Sequence, residues 1–363
     1  MKNKVEYMDI AKAYGIIAVV MGHCASPITA FVYLFHMPLF YFVSGYFYKD
    51  TNSKNPIKYI IRKLKGLYLP FIKYELIFLI IHNLLFKFYI YSDKIIYKDN
   101  SISRYSLKEF VKRGFSIITF GSSEQLTGAL WFCASLFTVT VIFMLLDYIL
   151  KKININKEII KFIIISCISI LANILIRKSI ILPREIDTSL VAMPIYYFGY
   201  LFKKYEYKIR FNVIGAATSA ILIYISTYYV KVDMVKNLYT SPILFIIDAL
   251  LGIYMIIYIS KKYNYKNFKI LKYIGANTLC IMGLHFFSFK IINLIQIIVY
   301  KYPLYMLATY PVINGNKGWW ILYTLCGVLV PITLKYLLDF CLLKLNLKNK
   351  ILISKNGIEA NSQ

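Results

Sequence analysis

Two apolar stretches near the N-terminus decide the fold: residues 8–24 read MDIAKAYGIIAVVMGHC and residues 29–48 read TAFVYLFHMPLFYFVSGYFY. Each is close to the ~20 residues that an α-helix needs to cross the hydrocarbon core of a bilayer. His23 lies in the first stretch and His36 in the second, and Lys12 interrupts the first. Because ionisable side chains are costly in hydrocarbon, their presence in a membrane helix indicates a functional site.

The composition of the whole chain is that of an integral membrane protein. Of its 363 residues, 59% are hydrophobic and 17% are charged, and its mean hydropathy is +0.60. A soluble domain averages about a quarter charged residues. The longest polar stretch, residues 90–127, is too short to bury a sizeable core of its own. The sequence therefore predicts an all-α integral membrane protein with no soluble domain.

Apolar runs recur along the chain and predict a bundle of about ten transmembrane helices. Lys and Arg are more frequent in the connections that face the cytoplasm if the N-terminus lies there, with residues 90–127 as the exception, so both termini are predicted to be cytoplasmic. We expect one membrane domain over residues 1–350 and a short polar tail over 351–363. The predicted helix cores are 8–24, 29–48, 67–89, 128–150, 159–176, 189–203, 211–229, 241–260, 274–299 and 318–343.

Charge and cysteine usage exclude several other classes of protein. The net charge of +26 would suggest nucleic-acid binding in a soluble protein, but here the basic residues lie in short loops between apolar runs. We therefore expect the bilayer, and no nucleic acid, as a partner. The first apolar run lacks a small-residue cleavage site, so we expect it to be retained as a helix. No disulfide and no metal site is expected of the cysteines, which all lie in apolar segments: Cys24, Cys133, Cys167, Cys280, Cys326 and Cys341.

Lys12 and His23 share one face of the first predicted helix. Eleven residues at 100° each leave their directions about 20° apart, and they stand about 16 Å apart along the axis. That face is expected to look into the bundle, since neither group belongs against lipid. The alternative is that Lys12 extends to the membrane surface while His23 caps the outer end of the helix.

The residues around these two positions resemble a known family, the acyltransferase 3 family, and in particular its fucose 4-O-acetylase-like branch. The family begins with an arginine, ten residues and a histidine, followed by a second helix similar to HMPLFFFLSG. Lys12, His23 and residues 36–40 occupy those positions, with lysine in place of the arginine. Weaker similarities follow at Arg62-Lys63-Leu64-Lys65 (to an RxxR motif), at Leu130-Trp131-Phe132, and at Gly275-Ala276-Asn277-Thr278-Leu279 with His285.

The resemblance implies a membrane O-acetyltransferase, expected in a bacterial cytoplasmic membrane. It would move an acetyl group from acetyl-CoA, a substrate rather than a tightly bound cofactor, to a hydroxyl of a cell-surface polysaccharide or its lipid-linked precursor. Other polysaccharide-synthesis proteins of the cell envelope would be partners. His23 would be the catalytic base, because imidazole titrates near working pH, or would carry the acyl group covalently. The resemblance assigns substrate binding to Lys12, His36, Arg62, Lys65, Trp131, Asn277 and His285.

Other interpretations of these residues stay open at this level. Lysine at 12 and 65 keeps the charge of arginine but not its planar fork, which favours attraction of phosphate over a defined hydrogen-bond geometry. Trp131 has the alternative roles of packing or of a membrane-interface residue. The alternative functions are a transporter or flippase of a lipid-linked saccharide, with Lys12, His23 and Asp248 along its pathway, and a non-enzymatic component of a polysaccharide-synthesis complex.

Overall fold

The fold is almost entirely helical. The computed structural model describes residues 6–97, 100–122, 124–155, 157–264 and 268–359, and 76% of the chain is helix. The all-α expectation is thereby confirmed. The helices are α1 (Glu6–Gly22), α2 (Thr29–Tyr33), α3 (His36–Tyr46), α4 (Pro56–Lys63), α5 (Leu69–Leu85), α6 (Leu107–Ile118), α7 (Trp131–Lys152), α8 (Glu158–Arg177), α9 (Ile186–Tyr205), α10 (Val213–Ser226), α11 (Pro242–Asn264), α12 (Lys269–Ala276), α13 (Thr278–Tyr300) and α14 (Trp319–Glu359).

The β-structure of the described residues consists of two short hairpins. Strand β1 (Ile96–Tyr97) pairs antiparallel with β2 (Asn100–Ser101), and β3 (Val232–Asp233) pairs antiparallel with β4 (Leu238–Tyr239). Both lie in connections between long helices.

Several helices are long and apolar enough to cross a membrane, which supports the expectation of a membrane protein. Within the described part of the chain there are five: Gln125–Lys152, Glu158–Arg177, Pro242–Asn264, Thr278–Tyr300 and Trp319–Lys344. Each predicted core overlaps one or more helices, while the count of ten stays a prediction. Helix α14 runs on to Glu359, into the predicted tail, and residues 360–363 lie outside the described residues.

Two of the predicted cores are wrong as continuous helices. Residues 29–48 form α2 and α3 with a turn at Leu34-Phe35, where Phe35 has φ −139°. Residues 274–299 are broken at Asn277, where α12 ends and α13 begins. The second break lets α12 approach α1 closely, since a Cβ on Gly275 would collide with the carbonyl oxygen of Asp9.

Helix α1 lies at the centre of the bundle, packed against α3, α11, α12, α13 and α14. Helix α3 in turn packs against α9 through small residues. A Cβ on Gly45 would collide with the carbonyl oxygen of Tyr196, and one on Gly199 would collide with that of Phe42. Close backbone contact of this kind is a common way for membrane helices to associate. This packing fixes the position of α1, which ends directly before His23, and of α3, which begins at His36.

Two buried aspartates inside the helices have hydrogen-bond partners on other helices. Asp147, which is 1% exposed, accepts from Lys161 at 2.9 Å and from Lys151 at 2.6 Å. Asp248 accepts from Ser226 at 2.6 Å, between α10 and α11. Buried charges of membrane helices usually pair in this way.

Candidate active site

His23 directly follows α1 and lines a cavity of about 650 Å³. Its backbone N–H donates to the carbonyl of Val20, so the ring is held at the end of the helix. The ring centroid lies 5.5 Å from that of His285 and 4.8 Å from that of Phe286. His23 is half-buried, and its ring faces protein and cavity rather than lipid. We call this space the histidine cavity.

Six segments from distant parts of the sequence form the walls of the histidine cavity. They are the end of α1, α2, the 3₁₀ segment Gln125–Leu130 with Trp131, the β3–β4 hairpin, α13, and residues 310–316. The lining combines aromatic rings with amides and one charged pair: Tyr33, Trp131, Phe286, Tyr310, Gln125, Asn314, Asn316, Asp233 and Lys236. Apolar faces with a few placed polar groups are typical of small-molecule sites. Such a lining suits a polyhydroxylated ligand.

The Gln125–Leu130 wall is held by carboxylates that the sequence left without a role. Glu75, fully buried on α5, accepts from the hydroxyls of Ser122 and Thr127 at 2.7 Å each. Glu124 lies 2.9 Å from Nδ1 of His82 and accepts from Tyr91 at 3.1 Å. His82, on α5, is thus bonded to the 90–127 connection, and its Nε2 lies 3.0 Å from the carbonyl oxygen of Ser103 in the same connection. Bonds to charged groups are the stronger ones in a protein interior.

Residues 304–316 are held by three polar side chains of α13 spaced three apart. Lys290 donates to the carbonyls of Ala308 and Thr309, at 3.2 and 2.9 Å. Asn293 donates to the carbonyl of Thr309, and Gln296 to that of Asn314 at 2.7 Å. Sequence reasoning missed these residues, although a polar face at i, i+3 and i+6 in an apolar helix is a readable signal.

The β3–β4 hairpin is tied to the start of α9. Asn237 donates to Asp187 at 2.9 Å, and Thr188 donates to the carbonyl of Met234 at 3.2 Å. Burial, and then the neighbouring charge of Asp187, raise the pKa of Glu185 in the same connection to about 7. Glu185 therefore ionises near neutral pH, beside the anchor of the hairpin.

A second cavity, of about 430 Å³, lies at the other end of α1, and we call it the lysine cavity. Among the described residues that line it, four are lysines: Lys12, Lys65, Lys73 and Lys335. The N-terminal end of α13, from Thr278, also faces it and adds the positive end of the helix dipole. Such a lining attracts anions, and phosphate in particular.

The lysines of this cavity differ in their pairing. Lys12 pairs with Asp9 at 2.8 Å, and Lys335 pairs with Asp339. Within the described part of the chain no carboxylate forms an ion pair with Lys65 or Lys73. Lys65 and Lys73 are therefore available to an anionic ligand.

The residues that the family resemblance assigned to binding are distributed between these places. Lys12, Lys65 and Asn277 line the lysine cavity, and Trp131, which is otherwise buried, lines the histidine cavity. Arg62 lines neither cavity, and its guanidinium donates to Asn52 at 2.8 Å.

The remaining two histidines lie close to His23. His285 is in ring contact with it. His36 is buried and bonds through Nδ1 to the carbonyl of Val32 at 2.7 Å, and its ring lies 5.0 Å from that of Tyr33, a residue of the histidine cavity.

The two cavities are separated by an apolar layer of α1 and α13. On α13, Cys280 lines the lysine cavity and His285 touches His23, five residues or about 7.5 Å further along the helix. Ile16 and Val20 on α1, with Ile281 on α13, are fully buried between these levels. An anion-attracting cavity and a histidine-bearing cavity therefore lie about one and a half helical turns apart along α13, with apolar side chains between them.

Comparison with known proteins identifies the family. The model of the acyltransferase 3 family, described as an acyltransferase domain, matches residues 5–340. No curated protein and no solved structure matches. The matched residues include α1, the broken second stretch, and all the walls of both cavities. The chain belongs to the acyltransferase 3 family and is a membrane acyltransferase.

Proposed function

We propose that the protein is an O-acetyltransferase of the bacterial cell membrane, of the fucose 4-O-acetylase-like branch. It moves an acetyl group from acetyl-CoA to a hydroxyl of a cell-surface polysaccharide or its lipid-linked precursor. About ten transmembrane helices, with both termini in the cytoplasm, orient the lysine cavity toward the cytoplasm. The resemblance of Lys12-x10-His23 and of residues 36–40 supports the branch, and the charge of the loops supports the orientation.

One observation carries the proposal: α1 bears Lys12 in the lysine cavity and His23 in the histidine cavity. CoA carries phosphates at one end and the acyl thioester at the other. With the phosphates among Lys65 and Lys73, the narrow thioester arm of CoA enters between α1 and α13, displaces the apolar layer and reaches toward His23. The acceptor sugar enters the histidine cavity from its other side, where aromatic rings and amides line the wall.

The chemistry follows from this placement. His23 takes the proton of the acceptor hydroxyl as the hydroxyl oxygen attacks the thioester carbonyl carbon. The carbon–sulfur bond breaks, and the proton passes from His23 to the sulfur, releasing CoA as a thiol. A positioned base of this kind contributes typically 10²–10⁴-fold to the rate. The acetyl group passes directly to the acceptor, so no acetyl-His23 is expected to accumulate.

A transporter is less well supported by the same geometry. Asp248, one of the residues proposed for its pathway, bonds to Ser226 and lines neither cavity. The apolar layer between the cavities also opposes passage of a whole saccharide.

The test is acetylation of surface glycan by the full chain and by His23→Ala. Cells lacking the protein supply the glycan, and the protein in lipid nanodiscs supplies the activity with deuterated acetyl-CoA. We expect base-labile deuterated acetyl groups with the wild type and a loss of at least about 10²-fold with His23→Ala at equal protein level. Full activity of His23→Ala would contradict the assignment, and labelled acetyl trapped on the wild-type protein would contradict direct transfer.

A further inference from the structure

The ring of His285 is anchored to its own helix through one nitrogen. The side chain is fully buried, and Nδ1 lies 3.0 Å from the carbonyl oxygen of Ile281 and 3.1 Å from that of Met282. A carbonyl oxygen only accepts hydrogen bonds, so Nδ1 must carry the hydrogen. In the neutral ring Nε2 is then a lone-pair acceptor.

That second nitrogen, Nε2, is buried and has no hydrogen-bond partner among the described residues. A buried acceptor without a partner is unfavourable and calls for an explanation. The rings in contact with His285 are those of His23, Phe286 and Phe289. Phenylalanine has no N–H or O–H to offer, so within this set of rings His23 is the one that can donate.

We propose that His285 is a positioning residue for His23, an inference that rests on the function proposed above. Its Nε2 accepts the N–H of the nearer His23 nitrogen and so fixes which nitrogen of His23 is protonated. The other His23 nitrogen is left with its lone pair for the acceptor hydroxyl. A hydrogen-bonded orienter of this kind sets the tautomer of a catalytic histidine in other enzymes, where it is usually a carboxylate.

The proton balance of the reaction is unchanged by this partner. The hydroxyl proton passes to the free nitrogen of His23 and makes an imidazolium, whose other N–H is shared with Nε2 of His285. No proton is transferred to His285 itself. When the carbon–sulfur bond breaks, the imidazolium gives its proton to the sulfur and returns to its starting tautomer. The rings stand 5.5 Å apart between centroids, and catalytic hydrogen bonds of ligand-free structures often shorten in the complex.

Two substitutions separate the roles of the two nitrogens. His285→Asn places an amide N–H near the position of Nδ1, so it keeps the bond to Ile281 and removes the acceptor at Nε2. His285→Gln places an amide oxygen near the position of Nε2, so it keeps the acceptor and loses the backbone bond. Both variants are assayed in nanodiscs with deuterated acetyl-CoA and the glycan fraction, and their thermal unfolding is measured.

We expect His285→Asn to unfold near the wild-type temperature but to lose about 10²-fold in kcat, with both KM values within about twofold. His285→Gln is expected to keep kcat within about tenfold of the wild type, even where its unfolding temperature falls. In a His23→Ala background, His285→Asn should cost nothing further, because His285 acts through His23.

Other outcomes overturn the inference. If His285→Asn keeps the wild-type kcat, or if His285→Gln loses more of kcat than His285→Asn does, the ring of His285 only anchors its own backbone. An additive loss in the double variant would give His285 a role independent of His23. The proposed function itself fails if the wild type transfers no acetyl group, or if His23→Ala is as active as the wild type. These results can be told apart from the two outcomes above, which concern His285 alone.

Discussion

We expect the double variant Lys65→Ala with Lys73→Ala to bind acetyl-CoA more weakly and to bind the acceptor as the wild type does. These are the two unpaired lysines of the lysine cavity. Each lysine in a solvent-open cavity contributes about 1 kcal/mol to a phosphate contact, so the pair contributes about 2 kcal/mol. At about 1.4 kcal/mol per factor of ten, the KM for acetyl-CoA should rise about thirtyfold. The KM for the glycan should stay within about twofold, since Lys65 and Lys73 do not line the histidine cavity.

The assay is the initial rate of glycan acetylation in nanodiscs against acetyl-CoA concentration, at low and at high salt. Salt should raise the KM of the wild type for acetyl-CoA more than that of the variant. Salt screens the attraction between the two lysines and the phosphates, and the variant has already lost this attraction. Acetyl-pantetheine, a donor without phosphates, should have the same KM with both proteins. The matched control is Lys54→Ala with Lys58→Ala, two exposed lysines that line neither cavity.

Three results would refute this reasoning. One is an unchanged KM for acetyl-CoA in the double variant. Another is an equal loss with acetyl-pantetheine, which would mean that the lysines support the fold and not the phosphates. The third is a rise in the acceptor KM alone, which would place the donor elsewhere.

Two further predictions concern the walls of the histidine cavity. Glu75→Gln weakens the hydrogen bonds that Glu75 accepts from Ser122 and Thr127. We therefore expect the KM for the glycan to rise about tenfold while the KM for acetyl-CoA stays within about twofold. An unchanged KM for the glycan would show that this wall does not contact the acceptor. Because the raised pKa of Glu185 favours its protonated form in the folded protein, the stability it contributes is complete at acid pH and is lost as pH rises through about 7. The unfolding temperature of the wild type should therefore fall between about pH 5 and 8 more than that of Glu185→Gln, and parallel pH profiles would contradict the shift.

Hydropathy located the helices, because the apolar run of ~20 residues that a membrane helix needs is a local property of the sequence. The breaks at Phe35 and Asn277 were missed, since each position lies inside a longer run whose average character is apolar. The second break serves a tertiary contact, because it lets Gly275 pack against the backbone of α1. A hydropathy pattern carries no information about a contact of this kind.

The candidate site was predicted in part for the same reason. Lys12 and His23 share a helix, so their spacing alone places them on one face. The contact of His23 with His285 and the bond of Glu75 to Thr127 join residues that are far apart in the sequence, and no local pattern reports them. Lys73 belongs to no motif of the sequence, and only the fold places it beside Lys65 in one cavity.

The buried layer formed by Ile16, Val20 and Ile281 bears on the energetics of the cell as well as on the reaction. On the proposed function, this layer lets an acetyl group pass to the outer side while CoA stays with the cytoplasmic metabolism that reloads it. Among the described residues, these three side chains offer no polar group to water or protons at this level. The proposed acetylation would then proceed without drawing on the electrochemical gradient across the membrane.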